Sequence, residues 1–185
     1  MSDVSVTPHQ GSTPSVEQLD TGIATRVVIA AVRIAVALLW IQNVNWKRPP
    51  NFGRDADRGL YKFTNEAVLN PVLSPFTWFV ENVVLPNFIL FGYLVLLLEF
   101  SLGAFLLAGL LTRLWAVIGI VQTSAITLSV LNAPNEWHWS YYLMFAAHFV
   151  LLATAAGRVA GLDAILRPRW RQSSSRVAAL ALKAS

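Results

Sequence analysis

Four side chains that could carry a proton or hold a polar ligand stand inside long apolar stretches: Arg33, Glu99, Gln122 and His148. Glu99 is the most demanding of them. It lies near the middle of residues 87–113, NFILFGYLVLLLEFSLGAFLLAGLLTR, and is the one carboxylate there. A charge at the centre of a bilayer costs about 2.5–3.5 kcal/mol even on insertion scales, so such a residue faces a partner or a cavity. Counted from the ends of their stretches, Arg33, Glu99 and Gln122 fall at one depth, with His148 nearer the outer side. An Arg33–Glu99 ion pair is the simplest expectation, because guanidinium and carboxylate fit bidentately and offset each other's desolvation. Gln122 and His148 would satisfy the remaining hydrogen-bonding groups. In such a site Glu99 or His148 could exchange a proton with a bound ligand. The same residues could instead only hold helices together, at about 0.6 kcal/mol per interhelical hydrogen bond.

The elements that must position these groups follow from composition. Of 185 residues, 55% are hydrophobic and 13% charged, and the mean hydropathy is +0.53. Those values describe an integral membrane protein of one domain. Apolar runs at about residues 24–42, 88–111, 114–131 and 140–159 are each long enough to cross a bilayer of ~30 Å, so the predicted fold is an all-α, four-helix transmembrane bundle. Residues 1–22 are polar, rich in Ser, Thr and Pro, and predict a flexible tail without a cleaved signal peptide. The membrane domain is then 23–166, and 167–185 form a basic tail, read as either a surface amphipathic helix or a disordered segment. Positive charge (+4 net) concentrates in that tail, which suits topology and lipid contact rather than nucleic acid. Arg26, Arg113, Arg158, Arg167, Arg169, Arg171, Arg176 and Lys183 share one side, against Lys47, Arg48, Arg54, Arg58 and Lys62 on the other. The balance favours both termini in the cytoplasm, and the expected location is the cell's inner (plasma) membrane.

The long loop between the first two spans opens with NWKRPPNFG, which Pro and Gly keep from being helical. A helix is predicted around 59–69. Ser74 and Pro75 then start a short helix whose Phe76, Phe79, Val80, Val83 and Val84 share one face. That stripe predicts a helix in the membrane interface, and packing on a partner protein would give the same pattern. Trp137, His138, Trp139, Tyr141 and Tyr142 form an aromatic group at the outer face, opposite Trp46 and Trp78. They make an aromatic belt or the mouth of a site for an amphipathic ligand, with Lys47 and Arg48 attracting an anion. Small residues at Ala104 and Ala108, and at Ala153, Gly157 and Gly161, predict close helix contacts.

Several chemistries are excluded. The chain has no cysteine, hence no disulfide, thiolate metal site, c-type haem attachment or cysteine nucleophile. No Gly-rich phosphate loop, metal-spaced histidine pair or nucleophile elbow is present. His138 and His148 are ten residues apart, about 15 Å on a helix, and His9 lies in the tail, which argues against a haem between two histidines of this chain. The candidate site is Glu99 and His148 for proton exchange, with Arg33, Gln122, Trp46, Lys47, Trp137, His138 and Trp139 in ligand binding. A quinone, held without covalent attachment, is one ligand such a site could take, beside some other small molecule or no ligand at all.

Glu99 followed by Gly103 and then Gly109-Leu110-Leu111-Thr112-Arg113 resembles the second-span signature of the DoxX/DoxD family of four-helix membrane proteins. Arg33 and Gly157-Arg158…Leu162-Asp163 resemble that family's other landmarks, and the likeness covers about residues 24–166. The extended first loop looks more like the DoxD subgroup, the membrane subunit of thiosulfate:quinone oxidoreductase. The resemblance implies a four-helix bundle and a link to quinone and thiosulfate, at most as one subunit of a quinone-linked oxidoreductase among other membrane or peripheral redox subunits. Persulfide or thiosulfonate chemistry would belong to a partner. Other DoxX-like proteins resemble accessory subunits, so a non-catalytic anchor or assembly subunit stays open. A small-solute transporter is disfavoured, because neither inverted repeats nor broken helices are visible.

Overall fold

The computed structural model describes residues 22–185; apart from Gly22, the polar segment 1–22 and its His9 lie outside them. The described residues are helical, with no strand among them. The helices are α1 (Ile23–Val44), α2 (Gly59–Leu69), α3 (Ser74–Phe79), α4 (Phe88–Ala108), α5 (Thr112–Val130), α6 (Trp139–Thr154), α7 (Leu162–Arg171) and α8 (Arg176–Ala184). Three of them, α1, α4 and α5, are long and apolar enough to cross a membrane, and α6 is a shorter apolar helix. In the bundle α1 packs on α4 and α5 on α6, with α4–α5 and α1–α6 contacts closing it. Its core is formed by Val36, Ala37 and Trp40, Leu102 and Leu106, Ala116 and Leu151. Leu90, Leu94 and Leu97 of α4 point outward and are exposed, as lipid-facing positions are. The chain is a multi-pass membrane protein.

Two predicted spans end early. The helix α4 stops at Ala108 because Gly109 turns left-handed, with φ 65. After Thr154 the last helix of the bundle, α6, gives way to Ala155 at φ 46 and a 3-10 turn, Ala156–Arg158. Its 16 residues rise about 24 Å.

The antiparallel pair α1/α4 is staggered. Arg33 meets the carbonyls of Leu106 and Leu107, a Cβ on Gly103 would touch Ala37 and Ile41, and Glu99 meets Asn43. Pairing the helices end to end would set Arg33 beside Glu99. The contacts instead displace α1 by about ten residues, roughly 15 Å. Consequently α1 ends near mid-height of α4, and the N-terminal half of α4 is faced by the non-helical segment after Val44. That half is the outer one: outer is the side away from both ends of the bundle's chain, and inner is the side that carries them. Phe52 of that segment is buried against Gly92, where an added Cβ would stand 2.5 Å from its ring. It also meets Phe88 and Tyr93 edge-on, with centroids 6.4 and 5.1 Å away.

Helices α2 and α3 fold over this half as a cap, with α2 lying on α5. Part of the apolar stripe of the loop helix packs inward: Val80 and Val84, in a π-helical turn after α3, pack on Ala67 with Phe76 and Phe91, while Phe79 and the neighbouring Trp78 stay exposed. The partner of the inward part is this chain's own α2 and α4. The basic segment after residue 166 is helical too. Helix α8 folds back on α7 and reaches α5, and Arg158 and Arg167 donate to the Ser185 carbonyl, each at 2.9 Å.

Candidate functional site

The stagger leaves a cavity of about 390 Å³ in the outer half of the bundle. Its walls are Phe88, Phe91, Gly92 and Val95 of α4, Ala125, Ile126, Ser129 and Val130 of α5, and the cap residues Leu60, Phe63, Phe76, Phe79, Val80 and Val84. The floor is polar. Glu99, fully buried, accepts from Lys47 Nζ at 2.5 Å, from Asn43 Nδ2 at 3.2 Å and from Gln122 Nε2 at 3.0 Å. Lys47 also donates to the Asn43 carbonyl at 3.0 Å and lies 4.3 Å from the centroid of the Trp46 ring. Trp46 in turn donates to Asn43 Oδ1 at 3.0 Å.

Local sequence explains the placement. Asn43 is in the last turn of α1, on the side facing α4, and Pro49-Pro50 prevent the helix from continuing. The chain therefore bends across the bundle and delivers Lys47 at the height of Glu99. At the cavity's other pole Tyr141 Oη donates to Glu136 Oε2 at 2.5 Å, and both residues line the cavity. An ammonium, a primary amide and a carboxylate beneath apolar walls can bind the acceptor atoms of a ring and hold a proton beside it.

Of the residues singled out from sequence, the structure brings Glu99, Gln122, Lys47 and Trp46 together. The anticipated Arg33–Glu99 pair does not form, because the stagger moves Arg33 toward the inner end. There Arg33 donates to the carbonyls of Leu106 (2.6 Å), Leu107 (2.7 Å) and Ala160 (3.0 Å). His148 is also elsewhere. Its Nε2 accepts from the Trp40 indole at 3.0 Å, which leaves Nδ1 to donate to the Met144 carbonyl at 2.7 Å. With both ring nitrogens engaged and the ring buried against Gly119, His148 does not line the cavity. Trp137 and Trp139 are exposed, His138 meets the Leu131 carbonyl at 2.9 Å, and none of the three reaches it. Asn43 was not singled out. The available signal was a polar residue one helical turn before Lys47.

The glycine- and charge-bearing landmarks assemble at the inner end. Asp163 is fully buried and accepts from the Leu111 and Thr112 amides at 2.7 and 3.0 Å, while its own amide donates to the Gly109 carbonyl at 2.9 Å. It thus sits at the positive N-terminal end of α5, as Arg33 sits at the negative C-terminal end of α4. A Cβ on Gly157 would collide with Thr112, Asp163 and Gly109. This cluster ties α1, α4, α5 and α7 together.

A family model described as TQO small subunit DoxD matches residues 28–184. No curated protein and no solved structure matches the chain.

Proposed function

Because this chain belongs to the DoxD family, and is thus a redox-complex membrane subunit, we propose that it serves as the small membrane subunit of a thiosulfate:quinone oxidoreductase and that the outer cavity is its quinone site. The observation that carries this reading is the Lys47–Glu99–Gln122 set at the floor of an otherwise apolar cavity. A quinone ring needs hydrogen-bond donors at a carbonyl oxygen and apolar surfaces along its faces, and these residues fit both needs. When bound, the quinone supplies a two-electron acceptor that also takes up protons. Lys47 and Gln122 orient the ring by donating N–H groups. Glu99 is the group that holds a proton beside it, and Trp46 and the phenylalanines keep water away.

With no cysteine on this chain, covalent sulfur chemistry through a thiol would belong to a partner subunit, which would also supply the electrons. The arginine-rich inner end supports a bacterial plasma-membrane location with both termini cytoplasmic. The cavity then lies in the leaflet away from the cytoplasm.

The test uses the complex purified from native membranes in mild detergent. Quinone should copurify, and Glu99→Gln should lower thiosulfate-dependent quinone reduction by roughly 10²-fold or more, as loss of a proton-transferring group does, with the complex intact. Titrated quinone should quench Trp46 emission, read as the difference from Trp46→Phe. An intact complex without quinone, and with undiminished turnover in Glu99→Gln, would make this chain a non-catalytic anchor.

A further inference from the structure

The cavity lies along the outer halves of α4 and α5. On α4 its lining runs from Phe88 to Glu99, about 16 Å of a helix rising 1.5 Å per residue, which is the outer half of a span. On α5 it runs from Gln122 to Val130, the matching half. At the end away from Glu99, Val84 and Val130 are buried, Tyr141 is 6% exposed, and the Tyr141 hydroxyl is bonded to the partly exposed Glu136. The most exposed lining residues are Trp46, Phe63 and Phe79, at 39%, 42% and 40% exposure, while Asn43, Thr64, Ser129 and Glu136 are only partly exposed. The three most exposed are aromatic. Trp46 and Phe63 meet edge-on at 5.4 Å, and Phe79 meets Phe91 of α4 at 6.1 Å. Those contacts set Trp46 and Phe63 beside the Asn43–Glu99 contact and Phe79 beside the first turn of α4. A mouth meant for a water-borne anion would present polar groups, whereas an aromatic rim along the outer half of a span faces acyl chains.

The geometry points to a lateral portal between the end of α1 and the α2–α3 cap, through which a lipid-soluble amphiphile enters from the bilayer. Its polar ring reaches Lys47, Glu99 and Gln122 while its apolar tail remains between Trp46, Phe63 and Phe79. The stagger of α1 creates the gap: a full-length antiparallel partner for α4 would fill it. This deepens the quinone reading of the same cavity and rests on it for the identity of the ring.

The absence of cysteine makes the test clean. Phe79→Cys and Phe63→Cys, each the sole cysteine of the full chain in proteoliposomes, are treated with a lipid-partitioning maleimide or a charged, membrane-impermeant thiosulfonate. Tyr141→Cys serves as the buried comparison. At Phe79→Cys and Phe63→Cys the lipid-borne reagent should win by roughly ten-fold or more, since the hydrocarbon excludes charge. Decyl-quinone should slow that labelling by occupying the portal. Equal or faster reaction with the charged reagent at both rim positions overturns the portal. Lipid-side labelling that decyl-quinone leaves unchanged upholds the portal and rejects the quinone as its occupant. Two rim variants are used so that misfolding of one does not decide the result.

Discussion

The buried Lys47–Glu99 pair sets the energetic stakes of the site. Two opposite charges in an apolar interior are tolerable because each answers the other and further hydrogen bonds fill the remaining lone pairs, here from Asn43 and Gln122. Removing one partner strands the other. Lys47→Met should therefore destabilise the protein by about 3–5 kcal/mol, read as a lower thermal midpoint in detergent. The double variant Lys47→Met/Glu99→Gln should recover most of that loss. A Lys47→Met protein as stable as the wild type would mean that Glu99 finds its counter-charge elsewhere. From sequence alone, the demand of Glu99 for a partner was plain, because an isolated carboxylate in an apolar span has few solutions. The partner was not. Lys47 stands in a Pro-rich run that reads as an external loop, and Arg33 seemed better placed because each span was centred on its own midpoint. His148 looked reactive for the same reason, yet the Trp40 indole that occupies its Nε2 comes from another helix and leaves no trace in the sequence.

At the level of elements, the inner end is held by helix termini rather than by ion pairs. Arg33 answers the orphan carbonyls at the end of α4, and Asp163 answers the orphan amides at the start of α5. Asp163→Asn keeps one acceptor oxygen but turns an amide N–H₂ toward a backbone N–H. The cost should be about 1–3 kcal/mol, the range for a buried hydrogen-bonding group left unsatisfied. Hydrogen exchange at the Leu111 and Thr112 amides should accelerate by roughly ten-fold or more, while amides at the middle of α4 keep their protection. Unchanged exchange at those two amides would show that the cap is redundant. The sequence marked these positions, since Gly109, Arg113, Arg158 and Asp163 stood out as landmarks and Gly157 and Gly161 as close contacts. Their purpose was hidden. Whether a buried arginine or aspartate serves a ligand or a helix end depends on which carbonyls and amides surround it, and those come from segments far apart in the chain.

Across the whole molecule, the number and order of spans could be read from hydropathy, but their relative height could not. Apolar length says that a helix can cross; it does not fix where along its neighbour it sits. The stagger of α1 depends on small residues at the contact, Gly103 against Ala37 and Ile41 and Gly92 against Phe52. Gly92 is decisive for the site. It admits the Phe52 ring, which anchors the segment after α1 on α4, and that segment holds Lys47 over Glu99. Gly92→Val should push Phe52 out, release the segment and detach Lys47 from the cavity floor. Trypsin added to the outer face can report this, because the bond after Lys47 is shielded while Lys47 is 4% exposed, and the bond after Arg48 precedes a proline and resists cleavage. Mass analysis should find a cut after Lys47 in Gly92→Val and not in the wild type. Cuts at the exposed Arg54 and Arg58 in both proteins would confirm that the protease reached the loop. A Gly92→Val protein that remains uncut after Lys47 would mean that the Lys47–Glu99 contact holds the segment without Phe52. The cavity would then owe its shape to the ion pair rather than to the ring packed in the glycine notch.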